Sequence, residues 1–347
     1  MRAELLEILC CPHDQTDLTL GDASADGEIS SATLNCEREH AFAVREGIPR
    51  LVPEADRDEQ EGTFESFSAK WAQMSPEELE QRFAQQYRWY TERYGFGDEA
   101  GLADFLSGRE AILEAGTGLG GDAARFAKLS EAQVIGLDLS EGIVGAQRHW
   151  AGPPNLHYLQ ADILDLPFRP ESFDFVSSDQ VIHHTPDAPT AFAELARLLR
   201  PGGHLAVYVY RVKALLRELA DTELRKLTTE MSVEECMEFS EQITELGREL
   251  SRTGARVKLE RGVPLLGIEP GEHDVQRLIY WTFLKCFWSD DFSERLNALV
   301  NFDWYHPPYA SRHTEDEVRA WCAEAGLEIE RLDLTESGIS VLARRPG

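Results

Sequence analysis

The run AILEAGTGLGGDAARFA, from Ala111 to Ala127, leaves the surrounding chain few ways to fold. Its apolar opening (Ala111, Ile112, Leu113) reads as a buried parallel strand, Glu114 to Gly121 as a tight glycine turn, and Asp122 onward as a helix start. Gly116, Gly118 and Gly120 let the backbone turn sharply and approach a ligand with no Cβ in the way, while the free amides at the helix start offer donors to an anionic group. A glycine triplet also occurs in ordinary turns, and only the strands and acids downstream of it distinguish a cofactor loop from those.

The next apolar strand, Val134 to Leu137, ends in Asp138, where an acid about 20 residues past the glycines can accept hydrogen bonds from ribose hydroxyls. A third strand, Leu156 to Gln160, leads to Asp162, and a fourth, Phe173 to Ser177, leads to Asp179. A helix from about Ala188 to Leu199, the punctuation RPGG and a fifth strand, His204 to Tyr210, complete the alternation. Strand, turn and helix in this order predict a doubly wound, mostly parallel α/β sheet with its ligand at the strand ends.

The segments EAGTGLG, GLDLS, ADILDLPF, SFDFVSSDQVIHHTPD and LLRPGGHLAVYVY, in this order and spacing, resemble class I S-adenosylmethionine-dependent methyltransferases of the small-molecule and quinone-biosynthesis type. The resemblance implies a seven-stranded Rossmann-like sheet and S-adenosylmethionine as cofactor. It implies that Glu114, Gly116, Gly118 and Gly120 line the methionine and ribose side, that Asp138 holds the ribose hydroxyls, and that Asp162 reaches the adenine amino group. Ile163 and Asp179 complete the implied cofactor-lining set. Acids suit an ammonium and hydroxyls, whereas a dinucleotide pyrophosphate would be repelled by Glu114.

Residues 1–54 read as a unit of their own, a short helix or turn followed by a small β meander. Its CPxxxxxxL opening and its F-x-V-x-x-GIPxLVP ending resemble the zinc-ribbon-like domain of the tRNA-methyltransferase activator family and the N-terminus of some ribosomal-RNA methyltransferases. The ligand pattern departs from Cys-x-x-Cys: Cys11 is followed by Asp14, and Cys36 by Glu39 and then His40. Cys11, Cys36, His40 and either Asp14 or His13 form a chemically feasible zinc set. A carboxylate weakens a structural site, so zinc is doubtful and a metal-free descendant, held by Leu9, Leu18, Leu34, Phe42 and Ile48, is the expectation.

Residues 55–108 follow as an acidic linker and a helical lid rich in aromatics, Phe64 to Trp71 being the part expected over the cofactor. Because the linker is acidic and the sheet downstream complete, the first 53 residues are expected to be dispensable for cofactor binding. The core spans 109–210. Residues 211–300 carry three amphipathic patterns, read as a helical cap inserted to shape an acceptor pocket. Residues 301–347 return to the core: Thr314 and Glu317 form a capping box, and LEIERLDL with GISVLARR reads as a final hairpin.

Methyl transfer from a sulfonium is an in-line displacement, and a hydroxyl, thiol or ammonium acceptor must shed a proton. His183 is the expected general base after the fourth strand, with His184 packed against the sheet. Tyr305, Tyr309, Arg312 and His313, on the loop before the last helix, are the expected acceptor contacts, suited to a carboxylate or another polar anchor. In the opposing reading Arg312 pairs with a surface acid and the tyrosines pack under the cap.

The 347 residues carry a formal charge of -28, which opposes unassisted contact with nucleic acid or anionic membranes. The stretch SSDQVIHH also lacks the Asn/Asp-Pro-Pro-Tyr/Phe motif that holds exocyclic amines of nucleic-acid bases. No signal peptide or membrane span is legible, and the six scattered cysteines point to free thiols or a metal site, so the expected compartment is the cytoplasm. A small-molecule acceptor is therefore expected. An RNA or protein methyltransferase that docks through the N-terminal domain is the alternative, and a non-catalytic binding module is the third reading, opposed by the intact loop. The oligomeric state is left open.

Overall fold

The computed structural model describes residues 1–21, 25–26, 28–52, 57–72, 76–150 and 152–347. After a short 3-10 turn, Ala3–Glu7, the N-terminal strands are β1 (Thr19–Leu20), β2 (Ala25–Asp26), β3 (Glu28–Ile29), β4 (Ala32–Asn35), β5 (Ala41–Arg45) and β6 (Ile48–Pro49). β1, β4, β5 and β6 form one antiparallel sheet in that order. Alternation sets its inner face: Leu34, Phe42 and Val44 are buried while their chain neighbours are not.

Three helices precede the core: α1 (Arg57–Ala72), α2 (Pro76–Arg93) and α3 (Glu99–Leu106). Of the acidic linker expected from Glu54, positions 54–56 lie outside the described residues, and Arg57 already begins α1. The core then alternates β7 (Ala111–Ala115), α4 (Gly121–Leu129), β8 (Gln133–Asp138), α5 (Gly142–His149), β9 (Leu156–Gln160), β10 (Phe173–Asp179), α6 (Ala188–Arg197) and β11 (Leu199–Tyr210). The cap contributes α7 (Leu215–Thr228), α8 (Val233–Arg252), the hairpin β12 (Arg256–Leu259) and β13 (Gly271–Asp274), α9 (Val275–Thr282) and α10 (Glu294–Tyr305). The chain closes with α11 (Glu315–Glu324), β14 (Glu328–Leu334) and β15 (Gly338–Arg344).

The main sheet has seven strands in the order β14-β15-β11-β10-β7-β8-β9. β7 to β11 are mutually parallel, and β15 alone runs antiparallel to both its neighbours. All five residues of β7 are buried, as a central strand covered on both faces requires. The strand order reverses between β7 and β10, so the crevice outside their C-terminal ends is where this architecture offers a binding site.

Two features of the cap differ from the periodicity. The third amphipathic pattern breaks between Thr282 and Glu294 into irregular chain, and a hairpin intervenes before it. The break is held from α10: Asn301 Oδ1 accepts from Phe287 N at 2.9 Å, and Asn297 Oδ1 accepts from Ser289 N at 2.8 Å. Two amides one helical turn apart thus satisfy backbone groups that no helix supplies.

The N-terminal sheet joins the core through backbone bonds. Arg50 bridges in parallel to Gln160 at the free edge of β9, and Leu51 N donates to Gln160 O at 2.8 Å. Leu9 pairs with Phe168, and one apolar cluster runs from Leu9, Leu34 and Leu51 into Leu159, Ala161 and Phe168. Among the described residues no helix is long and apolar enough to cross a membrane.

Candidate active site

β7 delivers Glu114 to the mouth of the crevice, where its Oε2 accepts from Thr117 Oγ1 at 2.5 Å and from Ala123 N at 2.6 Å. The carboxylate thereby ties the glycine turn to the first turn of α4. At Gly116, φ is 84°, and a Cβ there would collide with Val181. At Gly118, a Cβ would stand 2.8 Å from the indole of Trp71. Gly118 N donates to Asp138 Oδ2 at 2.7 Å, and Ser140 N donates to Asp138 Oδ1 at 2.8 Å, so the ends of β7 and β8 are locked together.

Glu114, Gly116, Gly118, Asp138, Asp162 and Ile163 all line one chamber of about 110 Å³. Asp162 also caps the turn Ile163–Asp165, its Oδ1 accepting from Leu164 N at 2.9 Å. Two members of the implied set stand differently. Gly120 is the N-cap of α4, packed against Tyr158 outside the chamber lining. Asp179 lines the chamber, but its carboxylate is occupied by Arg93 Nη1 and Tyr94 Oη, both at 2.8 Å.

Acids dominate this chamber. Burial, reinforced by Asp122, raises the Glu114 carboxyl well above its usual range; burial and then Asp179 push Asp122 up to about 6; burial raises Asp138. Such a field favours a ligand with positive charge and hydroxyl donors and disfavours phosphates. The donors and acceptors therefore fit S-adenosylmethionine, with its ammonium, sulfonium and ribose hydroxyls.

α1 covers the chamber with Phe67, Lys70 and Trp71, which share one helical face by their spacing. Lys70 Nζ lies 4.5 Å from the Trp71 ring centroid and donates to Asp303 Oδ1 of α10 at 2.5 Å. Burial brings Lys70 down to about 8, while Asp303, which burial alone would raise, is held low by the Lys70 ammonium. Ser66 Oγ meets His306 Nδ1 at 2.6 Å, a second tie between lid and cap.

The two histidines stand in different surroundings. His183 is fully buried, its ring 3.7 Å from that of Tyr210, and neither nitrogen has a hydrogen-bond partner among the described residues. His184 lines the chamber instead. Burial lowers it to about 4, so the ring is neutral at pH 7, and its Nδ1 lies 2.8 Å from Tyr309 O. Nδ1 must then carry the proton to donate, which leaves Nε2 as an acceptor. The 3-10 turn Ile182–His184 swings successive side chains by about 120°, which sends the two rings into different surroundings.

A second cavity, of about 680 Å³, lies between α2, the cap and the ends of β11, β14 and β15. Arg82, Gln86, Gln180 and Asp303 line both spaces and form their shared wall. The four residues expected to contact an acceptor are not among its lining. Tyr305 is buried with its hydroxyl donating to Lys285 O at 2.8 Å, and Tyr309 offers its carbonyl to His184. Arg312 pairs with Glu218 at 2.6 Å, and His313 Nε2 meets Ser311 Oγ at 2.8 Å. α7 supplies Glu218 and so captures the arginine on the outer face of the cap.

Lys70 and Asp303 escaped the sequence reading. Their signals are a lysine on the aromatic face of FESFSAKW and an acid inside the apolar run NFDWY, each a charge at a position that periodicity marks as buried.

In the N-terminal sheet, Cys11, Asp14, Cys36 and His40 place one ligand atom each within 4.8 Å of one another. His40 Nδ1 is 3.3 Å from both thiol sulfurs and 3.4 Å from Asp14 Oδ2. Zinc bonds of 2.0–2.3 Å give tetrahedral edges of roughly 3.3–3.8 Å, so the four groups fit that ion. His13 stays outside the set, its ring centroid 4.6 Å from that of His40. Leu9, Leu18, Leu34, Phe42 and Ile48 are also buried, in apolar clusters continuous with the main sheet.

The doubly wound sheet, with a glycine turn after β7 and acids at the ends of β7, β8 and β9, gathers one acidic crevice at its strand ends. Residues 113–207 match the family described as "Methyltransferase domain". The chain is 27% identical over 168 residues to sterol 24-C-methyltransferase of Gibberella zeae, covering 45% of this chain and 44% of that protein. It is 40% identical over 102 residues to phthiotriol/phenolphthiotriol dimycocerosates methyltransferase of Mycobacterium leprae, covering 29% of this chain and 37% of that protein. The chain thus spans less than half the length of either curated relative. Among solved structures, magnesium protoporphyrin IX methyltransferase of Synechocystis with bound SAH superposes with a TM-score of 0.43 and 16% identity, covering 84% of this chain and 98% of that one. That superposition is too loose to bear on function.

Proposed function

We propose that the protein transfers a methyl group from S-adenosylmethionine to a small molecule held under the cap. The observation that carries this reading is the pair of chambers with a common wall: an acidic one on the glycine turn and a larger one beneath α9 and α10. The cofactor, when bound, supplies an electrophilic methyl group. Glu114 and Asp122 attract its ammonium, Asp138 accepts from the ribose hydroxyls, Asp162 accepts from the adenine amino group, and Ile163 packs on the ring. Asp303, in the shared wall and ionised through Lys70, takes the hydrogen bond of the acceptor's reacting group, and His184 Nε2 orients it from the chamber side. The named acceptors of the relatives are small molecules, and a recessed cavity in a chain of net charge -28 suits the same class rather than RNA.

Titration calorimetry with S-adenosylhomocysteine is expected to show binding that Asp138→Ala weakens by roughly 1.5–3 kcal/mol, the scale of hydrogen bonds to a charged group. Equal affinities would remove Asp138 from the ribose site. Incubation with methyl-labelled cofactor should label a small-molecule extract and leave total RNA unlabelled; the reverse would overturn the acceptor class.

A further inference from the structure

In a chain of net charge -28 the larger cavity is lined by five cations against four acids, Glu92, Asp291, Asp303 and Asp333. Two of the cations, the Lys285 ammonium and the Arg277 guanidinium, have no carboxylate within 4.0 Å among the described residues. Lys285 is only 6% exposed. Its Nζ meets the Tyr280 hydroxyl at 3.4 Å and sits 5.0 to 5.6 Å from the ring centroids of Trp304, Tyr280 and Phe287. The nearby Asp221 carboxylate lies beyond 4.0 Å of Lys285 and accepts from Arg217 Nε through Oδ2 at 2.7 Å. A buried ammonium held only by ring faces and one hydroxyl is costly, and an anion delivered by a ligand removes that cost. The walls beside it are flat: Tyr210, Tyr280, Trp281 and Phe287 line the same space.

We infer that the methyl acceptor is an aromatic carboxylic acid, its carboxylate bound by Lys285 with Arg277 at the rim and its rings against Tyr280 and Phe287. This rests on the reading of the larger cavity as the acceptor chamber. The reacting atom then lies toward Asp303, one of the four lining residues shared with the cofactor side.

The test uses the full chain saturated with S-adenosylhomocysteine and a series of probes, benzoate, 2-naphthoate and 2-anthroate, each against its uncharged amide. Calorimetry should find at least one acid bound about tenfold or more tighter than its amide, the effect of one charge-assisted contact. Lys285→Met should reduce that preference to about twofold or less, Lys285→Arg should keep most of it, and neither should alter the affinity for S-adenosylhomocysteine. Equal binding of every acid and its amide, no binding of any acid, or a preference that survives Lys285→Met would each overturn the proposal. The wild-type comparison of acid with amide decides the matter even where a variant fails to fold. Loss of S-adenosylhomocysteine binding in the wild type would instead sink the methyltransferase reading, and the acid preference measured without it would still report on Lys285.

Discussion

Asp122 shows how a cofactor chamber is prepared at the cost of stability. Burial and the neighbouring Asp179 push its carboxyl up to about 6, so from roughly pH 4 to 6 the native chain holds a proton that the unfolded chain has released. The contribution of this group to stability therefore falls as pH rises through that window. Urea melts should find Asp122→Asn more stable than wild type at pH 7.5 by on the order of 1–3 kcal/mol, and indistinguishable from it at pH 4. An equal gain at both values would assign the effect to packing. A cationic ligand relieves the same carboxylate, so the shift in melting temperature with S-adenosylmethionine should be larger at pH 7.5 than at pH 5. The placement of Glu114, Asp138 and Asp162 at strand ends around one chamber was legible because a glycine turn fixes it without knowledge of distant chain. Arg312 was not, since Glu218, the residue that claims it, is brought in from α7, far away in sequence.

At the scale of elements, periodicity located the sheet, α6 and the capped α11, whose Thr314 and Glu317 form the reciprocal pair expected of them. It failed where local geometry changes period. The 3-10 turn after β10 puts His184 in the chamber lining, and the chain between α9 and α10 keeps an apolar rhythm although amide side chains, not helical bonds, hold it. The lid α1 is fastened by Lys70 to Asp303, by Ser66 to His306 and by Ser68 Oγ, which accepts from Glu141 N at 3.2 Å. Lys70→Met preserves the stem over Trp71 while deleting the ion pair. Stopped-flow measurement should find cofactor release about tenfold faster, the scale of one charge-assisted bond. An unchanged release rate would show that the pair does not hold the lid.

For the whole molecule, the expectation of a dispensable N-terminal unit gives way to a shared core. Leu9 and Leu51 are buried in the same cluster as Leu159 and Phe168, and the module covers part of the free edge of β9. Re-exposing a buried side chain of this size costs about 1.5–3 kcal/mol, so losing several exhausts a typical stability of about 5–15 kcal/mol. A chain lacking Met1 to Val52 is expected to aggregate or to lose its cooperative melt; a transition within a few degrees of the full chain would refute the shared core. The charged contact between lid and cap has a consequence for timing. On the proposed reading Lys70 stands over the cofactor, and Asp303 belongs to both chambers, so one latch closes two rooms. Spent cofactor and methylated product then leave through a single opening event, and water is kept from both ligands, or admitted to both, together.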